Sequence, residues 1–149
     1  MSIEVQHITK LYGGQKALND VSFMVEKSEI VGFLGPNGAG KSTMMKILTT
    51  SIEADTGEAN INGYAINETN KNVQRCIGYL PEHNPLYLDM YVREYLAFNA
   101  NLYNVDQQRI QEVIELTGLT PEAHKKIQQL SKGYRQRVGL ANALLHNPD

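Results

Sequence analysis

Eight consecutive residues, Gly35-Pro-Asn-Gly-Ala-Gly-Lys-Ser, constrain the fold of this 149-residue chain more than anything else in it. They satisfy the pattern G-x-x-x-x-G-K-[ST] and stand between a strand-like segment at residues 29–34 and a stretch with helical spacing, residues 41–50, that carries Met44, Met45, Ile47 and Leu48. A strand, a tight loop and a helix are expected in that order. Gly35, Gly38 and Gly40 let the backbone curl so that successive N–H groups converge, and the start of the following helix adds partial positive charge. Such a concavity suits a polyphosphate. Lys41 places a full charge for the β- and γ-phosphates, Ser42 offers a hydroxyl to Mg²⁺, and Thr43 is positioned for an α-phosphate. Pro36, Asn37 and Ala39 complete the loop. The motif therefore implies binding of a nucleoside triphosphate, and leaves open which chemistry follows.

The rest of the chain divides by period. Apolar residues alternate at Ile3 and Val5 and at Val21, Phe23 and Val25, with turn signals at Gly13-Gly14, Asn19-Asp20 and Lys27-Ser28. Residues 29–34 read as a buried strand, residues 55–64 as a small hairpin, and residues 77–80 as a short strand closed by Pro81. Beyond that the spacing turns helical. Val92, Tyr95, Leu96 and Leu102 share one face, Ile110, Val113 and Ile114 another, and Tyr134, Val138, Ala141 and Leu145 a third. Gly118 ends the second of these helices, and Thr120-Pro121 has the chemistry to start a short one. A β-rich half leads into a helical half.

Composition excludes several classes. A net charge of −2 does not suit a dedicated nucleic-acid binder, and a single cysteine, Cys76, permits neither an internal disulfide nor a zinc site built on Cys pairs. No apolar run is long enough to span a bilayer, and residues 1–7 lack the basic and apolar regions of a secretory signal. Direct membrane insertion is not expected. The histidines at 7, 83, 124 and 146 show no metal spacing. Lys125, Lys126, Lys132, Arg135 and Arg137 read as a solvated helix face, and Cys76 as a small buried residue.

The form GPNGAGKST, together with Leu130-Ser-Lys-Gly-Tyr-Arg-Gln-Arg and the helix that follows, resembles the ATP-binding subunits of ABC transporters along the whole chain. The second segment is similar to the family's LSGGQ signature, with Lys132 in place of the first Gly and Tyr134 in place of the Gln. Ser131 and Gly133 are retained, and the resemblance implies that they touch the γ-phosphate of ATP held by the opposite subunit of a dimer. A Ser cap and a close backbone N–H at a helix start form a second anion site, which agrees with that role. Two further assignments follow from the resemblance. Tyr12 lies where the family places a ring that stacks on adenine, and Glu82 occupies the position of the Q-loop Gln, which reaches Mg²⁺; a carboxylate is still a hard oxygen ligand.

The resemblance implies an α/β phosphate-loop NTPase fold of ABC ATPase type, with an antiparallel β subdomain and a helical subdomain, truncated before the Asp-Glu strand. It divides the chain into a nucleotide-binding core with the β subdomain (residues 1–83), a helical subdomain (84–130) and the signature helix (131–149). The helical subdomain docks on transmembrane partners in the family, and Tyr87, Met90, Tyr91 and Tyr95 cluster near its start. No apolar tetrad followed by Asp-Glu occurs after residue 50, so none of these residues is expected to be catalytic, and these 149 residues are expected to bind ATP with negligible turnover and to leave apolar sheet surface uncovered. The parent function implied is ATP hydrolysis, with ATP and Mg²⁺ as cofactors, driving transport through a separate membrane permease. The subunit is expected to be a homodimer, cytoplasmic and peripheral on the inner face of the membrane, without nucleic acid. The Leu80-Pro-Glu and LSKGYRQR variants resemble export-type or gliding-motility ATPases. The alternatives are a soluble ABC-type clamp acting on ribosomes or DNA, and a nucleotide-binding regulator without hydrolysis. The absence of a heptad run between Ser42 and Ser131 weighs against a chromosome-type clamp.

Overall fold

The computed structural model describes residues 2–66 and 71–149, which form two compact units, residues 1–77 with Asp149 and residues 78–148. In the first unit, β1 (Ile3–Tyr12) and β2 (Gln15–Val25) form an antiparallel hairpin turned at Gly13-Gly14. The strands β3 (Thr56–Ile61) and β4 (Tyr64–Ala65) extend it in the order β2-β1-β3-β4. The expected hairpin over residues 55–64 is therefore present, turned through Asn62 and Gly63, both at positive φ. Helix α1 (Lys41–Leu48) follows the glycine-rich loop, and α2 (Lys71–Cys76) follows β4. Val5, Ile8 and Ile61 of the sheet close on Met44 and Ile47 of α1 and on Val73 of α2, all essentially sealed from solvent. Burial of each such side chain is worth about 1.5–3 kcal/mol, and that ties α1 to the sheet.

Three strand expectations are corrected. Asn19-Asp20 is not a turn but an irregularity inside β2, where the pairing shifts register between Ile8↔Val21 and Lys10↔Leu18. Asp20 has φ of 54°, which Asp tolerates, and its N–H donates to Thr9 Oγ1 at 3.0 Å. Residues 29–34 form no strand. A strand that reads as apolar on both faces is stable only with parallel neighbours and covering layers, and no described strand pairs with this one. Ile30 is fully exposed and Leu34 is 92% exposed, while Phe33 tilts against Phe23 at 5.6 Å beside an apolar groove of about 800 Å³. Residues 77–80 are likewise not a strand. A Cβ at Gly78 would lie 2.5 Å from the carbonyl oxygen of Ala143, so this segment runs hard against a helix end.

The second unit is helical: α3 (Val92–Tyr103), α4 (Gln107–Leu116) and α5 (Lys132–Leu144), with short 3-10 turns at Thr120–Glu122 and Ile127–Gln129. Asp106 caps α4 by accepting from Gln108 N–H at 2.8 Å, and Thr117 with Gly118 at φ of 65° closes it. Val92, Tyr95 and Leu96 of α3, Ile110, Val113 and Ile114 of α4, and Val138, Ala141 and Leu145 at α5 form one core. Leu102, expected on the buried face of α3, is 67% exposed: at about 100° per residue it falls to one side of the arc that Val92, Leu96 and Ala100 bury. Cys76 is half-buried.

Candidate functional site

The loop before α1 is built as its glycines require. Gly38 and Gly40 have φ of 85° and 87°, conformations in which any side chain is strained. Gly40 meets a second constraint, because a Cβ there would stand 2.3 Å from the carbonyl oxygen of Ala17 and 2.6 Å from Leu18 Cδ2. The loop therefore rests directly on β2. Ala39 N–H donates to Pro36 O at 3.2 Å, and Lys41 Nζ reaches back to Gly35 O at 2.6 Å and Pro36 O at 2.8 Å. This places the ammonium over the mouth of the loop. The first N–H groups of α1, at Lys41, Ser42 and Thr43, have no intrahelical acceptor, and no acidic residue stands in its first turn. A helix start with open N–H groups and an ammonium that pairs with no carboxylate among the described residues suit an anion with several negative charges. Ser42 is exposed and places its hydroxyl beside them.

Tyr12 ends β1 and pairs with Gln15 across the hairpin, two residues from the Ala17 that supports Gly40. Its ring is 52% exposed. A residue that sequence reasoning missed holds this strand end: Asp55 accepts from Leu11 N–H at 2.6 Å and from Lys10 Nζ at 3.0 Å. The Leu11 N–H, and after it the Lys10 ammonium, hold the Asp55 carboxyl below the ordinary carboxylate range. No sequence motif marks this pairing, because Asp55 reaches back over 40 residues to form it.

The second unit carries the other expected positions. Glu82 is exposed in the segment ahead of α3. Ser131 is the N-cap of α5 and accepts from Tyr134 N–H at 3.4 Å, and Gly133 sits in the open first turn, where an added Cβ would meet nothing within 4 Å. In the basic stretch Lys132 and Arg137 are exposed as expected, whereas Lys125, Lys126 and Arg135 are half-buried. Arg135 donates to Ile127 O and Gln128 O, and Arg137 donates to Gly118 O and lies 5.2 Å over the Tyr134 ring. Helix ends leave carbonyls without partners, and guanidinium groups close enough to reach them bind them in preference to water. Of the aromatic cluster, Tyr95 is buried, while Tyr87 and Tyr91 are about half exposed. Tyr87 meets Tyr95 and Phe98 edge-on at 6.1 and 6.0 Å.

A glycine-rich loop with residues at positive φ that opens directly into a helix is the local arrangement of a phosphate loop. Residues 18–149 match the family described as "ABC transporter", and the chain belongs to that family. It is 36% identical over 148 residues to the bacitracin transport ATP-binding protein BcrA of Bacillus licheniformis, covering 99% of this chain and 48% of that protein. The chain thus spans about half the length of the curated relatives it matches. Among solved structures it superposes on an ATP-binding subunit of an ABC transporter with a TM-score of 0.87 at 30% identity, covering 99% of this chain and 63% of that one. It also superposes on the dimeric ATP-binding cassette MJ0796 in a post-hydrolysis state bound to ADP and Pi, with a TM-score of 0.85 at 28% identity over 98% of this chain and 70% of that one. The fold expected from the sequence, the first part of an ABC ATPase domain with an antiparallel sheet and helices, is the fold observed.

Proposed function

We propose that the chain binds ATP with Mg²⁺ through Gly35, Pro36, Asn37, Gly38, Ala39, Gly40, Lys41, Ser42 and Thr43. The observation that carries this reading is the loop itself, with Gly38 and Gly40 at positive φ, the open start of α1 and the Lys41 ammonium over the loop mouth. Backbone N–H groups and Lys41 orient the phosphates, Ser42 ligates the metal, and Tyr12 offers a ring face to adenine. Stacking of that kind contributes on the order of 1 kcal/mol. Bound Mg²⁺ supplies charge compensation to the phosphates. By their positions in the family's pattern, Glu82 would be a second oxygen ligand for the metal, and Ser131 and Gly133 would contact the ATP of an opposite subunit.

In the whole protein we infer ATP hydrolysis that drives transport by a homodimer of ATPase subunits seated on a separate membrane permease, on the cytoplasmic face. The transport name of the B. licheniformis relative and the dimeric MJ0796 structure support this over a ribosome or DNA clamp and over a regulator without hydrolysis. Among the described residues, no helix is long and apolar enough to cross a membrane. The LPE and LSKGYRQR segments lead us to propose export as the direction. Within the chain, residues 1–83 act as nucleotide core and β subdomain, 84–130 as the helical subdomain that meets the permease, and 131–149 as the signature helix. A polypeptide of these 149 residues has no Asp-Glu after an apolar tetrad, so it binds ATP without appreciable turnover. The test is fluorescent-ATP binding by Lys41→Ala: loss of binding is expected, and unchanged binding would contradict the loop assignment.

A further inference from the structure

Residues 127 and 128, one residue ahead of the Leu130-Ser131 pair, are gripped on both edges of their backbone. On one edge, Ile127 N–H donates to Met90 O and Gln128 N–H to Leu88 O, each at 2.9 Å. On the other, Arg135 donates Nε to Ile127 O at 3.2 Å and Nη2 to Gln128 O at 2.7 Å. The Arg135 main-chain N–H also donates to Ser131 O at 3.0 Å, so one residue ties the upstream turn and the first turn of α5 together. Leu130, buried between them, completes the turn by donating to Ile127 O at 3.1 Å. A planar guanidinium bridging two successive carbonyls fixes direction as well as distance, which a single ammonium does not.

We propose that Arg135 is the positioning residue for Ser131: its guanidinium locks residues 127 and 128 so that the Ser131 hydroxyl and the Gly133 N–H are held ready for phosphate. The inference rests on the reading of Ser131 as a phosphate contact in a dimer. It goes beyond that reading by assigning a cause to the orientation. The Ser131 cap alone is a weak restraint, since its bond from Tyr134 N–H is long at 3.4 Å, whereas the Arg135 bonds are charge-assisted.

The test uses the full-length protein carrying Arg135→Gln, Arg135→Lys, Ser131→Ala, or Arg135→Gln with Ser131→Ala, with AMP-PNP and Mg²⁺ as the probe of nucleotide-driven dimerisation. Amide exchange of residues 126–134 is read separately, without nucleotide. Arg135→Gln is expected to speed exchange in this segment and weaken dimerisation by about tenfold, the scale of losing charge-assisted hydrogen bonds. Arg135→Lys recovers part of both. The double variant is expected to lose less than the sum of the two single losses, because part of what Arg135 does is done through Ser131 and the rest through Gly133. Unchanged exchange in Arg135→Gln, or additive losses in the double variant, overturns the proposal. If Ser131→Ala dimerises normally, the reading of Ser131 fails and the positioning role fails with it, while the exchange data still decide whether Arg135 holds the turn. If Arg135→Gln does not fold, Arg135→Lys alone supplies both comparisons.

Discussion

Replacing Gly40 by Ala tests how the phosphate loop is seated. Two costs act at that position. The residue has φ of 87°, which an L side chain adopts at a cost of about 1–2 kcal/mol. The new Cβ would also stand 2.3 Å from the Ala17 carbonyl oxygen and 2.6 Å from Leu18 Cδ2, and displacing packed backbone of this kind costs about 1–3 kcal/mol more. Gly38 separates the two, because its φ is 85° but an added Cβ meets nothing within 4 Å. Gly38→Ala is therefore expected to lose about 1–2 kcal/mol and Gly40→Ala about 2–5 kcal/mol. The assay is urea unfolding followed by circular dichroism, which reports midpoint and slope together. Equal losses in the two variants, or a larger loss for Gly38→Ala, would refute the claim that the loop rests on β2 through Gly40.

Asp55 gives a pH prediction. Its carboxyl is held below the ordinary value of 3.8, first by Leu11 N–H and then by Lys10, so it stabilises the native state at higher pH. That contribution begins to fall as pH drops below 3.8 and is lost as pH passes through the lowered native value. Asp55→Asn should flatten the acid limb of the urea midpoint against pH, and parallel curves for variant and parent would show that the contact contributes nothing. In the helical unit, Leu96 is sealed from solvent among α3, α4 and α5 residues, and Leu96→Ala should cost about 2–5 kcal/mol in the same unfolding assay. A loss below about 1 kcal/mol would mean the site collapses around the smaller side chain.

Features set by neighbouring residues were legible in the sequence. The Gly13-Gly14 turn, the hairpin over residues 55–64, the phosphate loop and the cap at Ser131 each follow from local chemistry. Helical spacing also found the buried faces of α3, α4 and α5 except at Leu102. The misreadings share one cause. Residues 29–34 carry the pattern of a buried strand, but burial belongs to a sheet, and no described strand offers them a ladder. At Asp20 a turn residue took a left-handed conformation inside a strand, where pairing with β1 on one side carried the chain through. Arg135 read as fully solvated because sequence shows charge and not the carbonyls of Ile127 and Gln128 that it reaches from the next helix. Asp55 was invisible for the same reason, since its partners Lys10 and Leu11 are distant in sequence.

The central claim is that residues 35–43 receive the phosphates of ATP. The most direct measurement is a ¹H–¹⁵N spectrum of the 16.7 kDa chain titrated with ATP and Mg²⁺. Saturable shifts concentrated on the amides of Gly35, Gly38, Gly40, Lys41, Ser42 and Thr43 are expected, with smaller ring-current shifts around Tyr12. No saturable shifts, or shifts confined to the helical unit with residues 35–43 unmoved, would contradict the account.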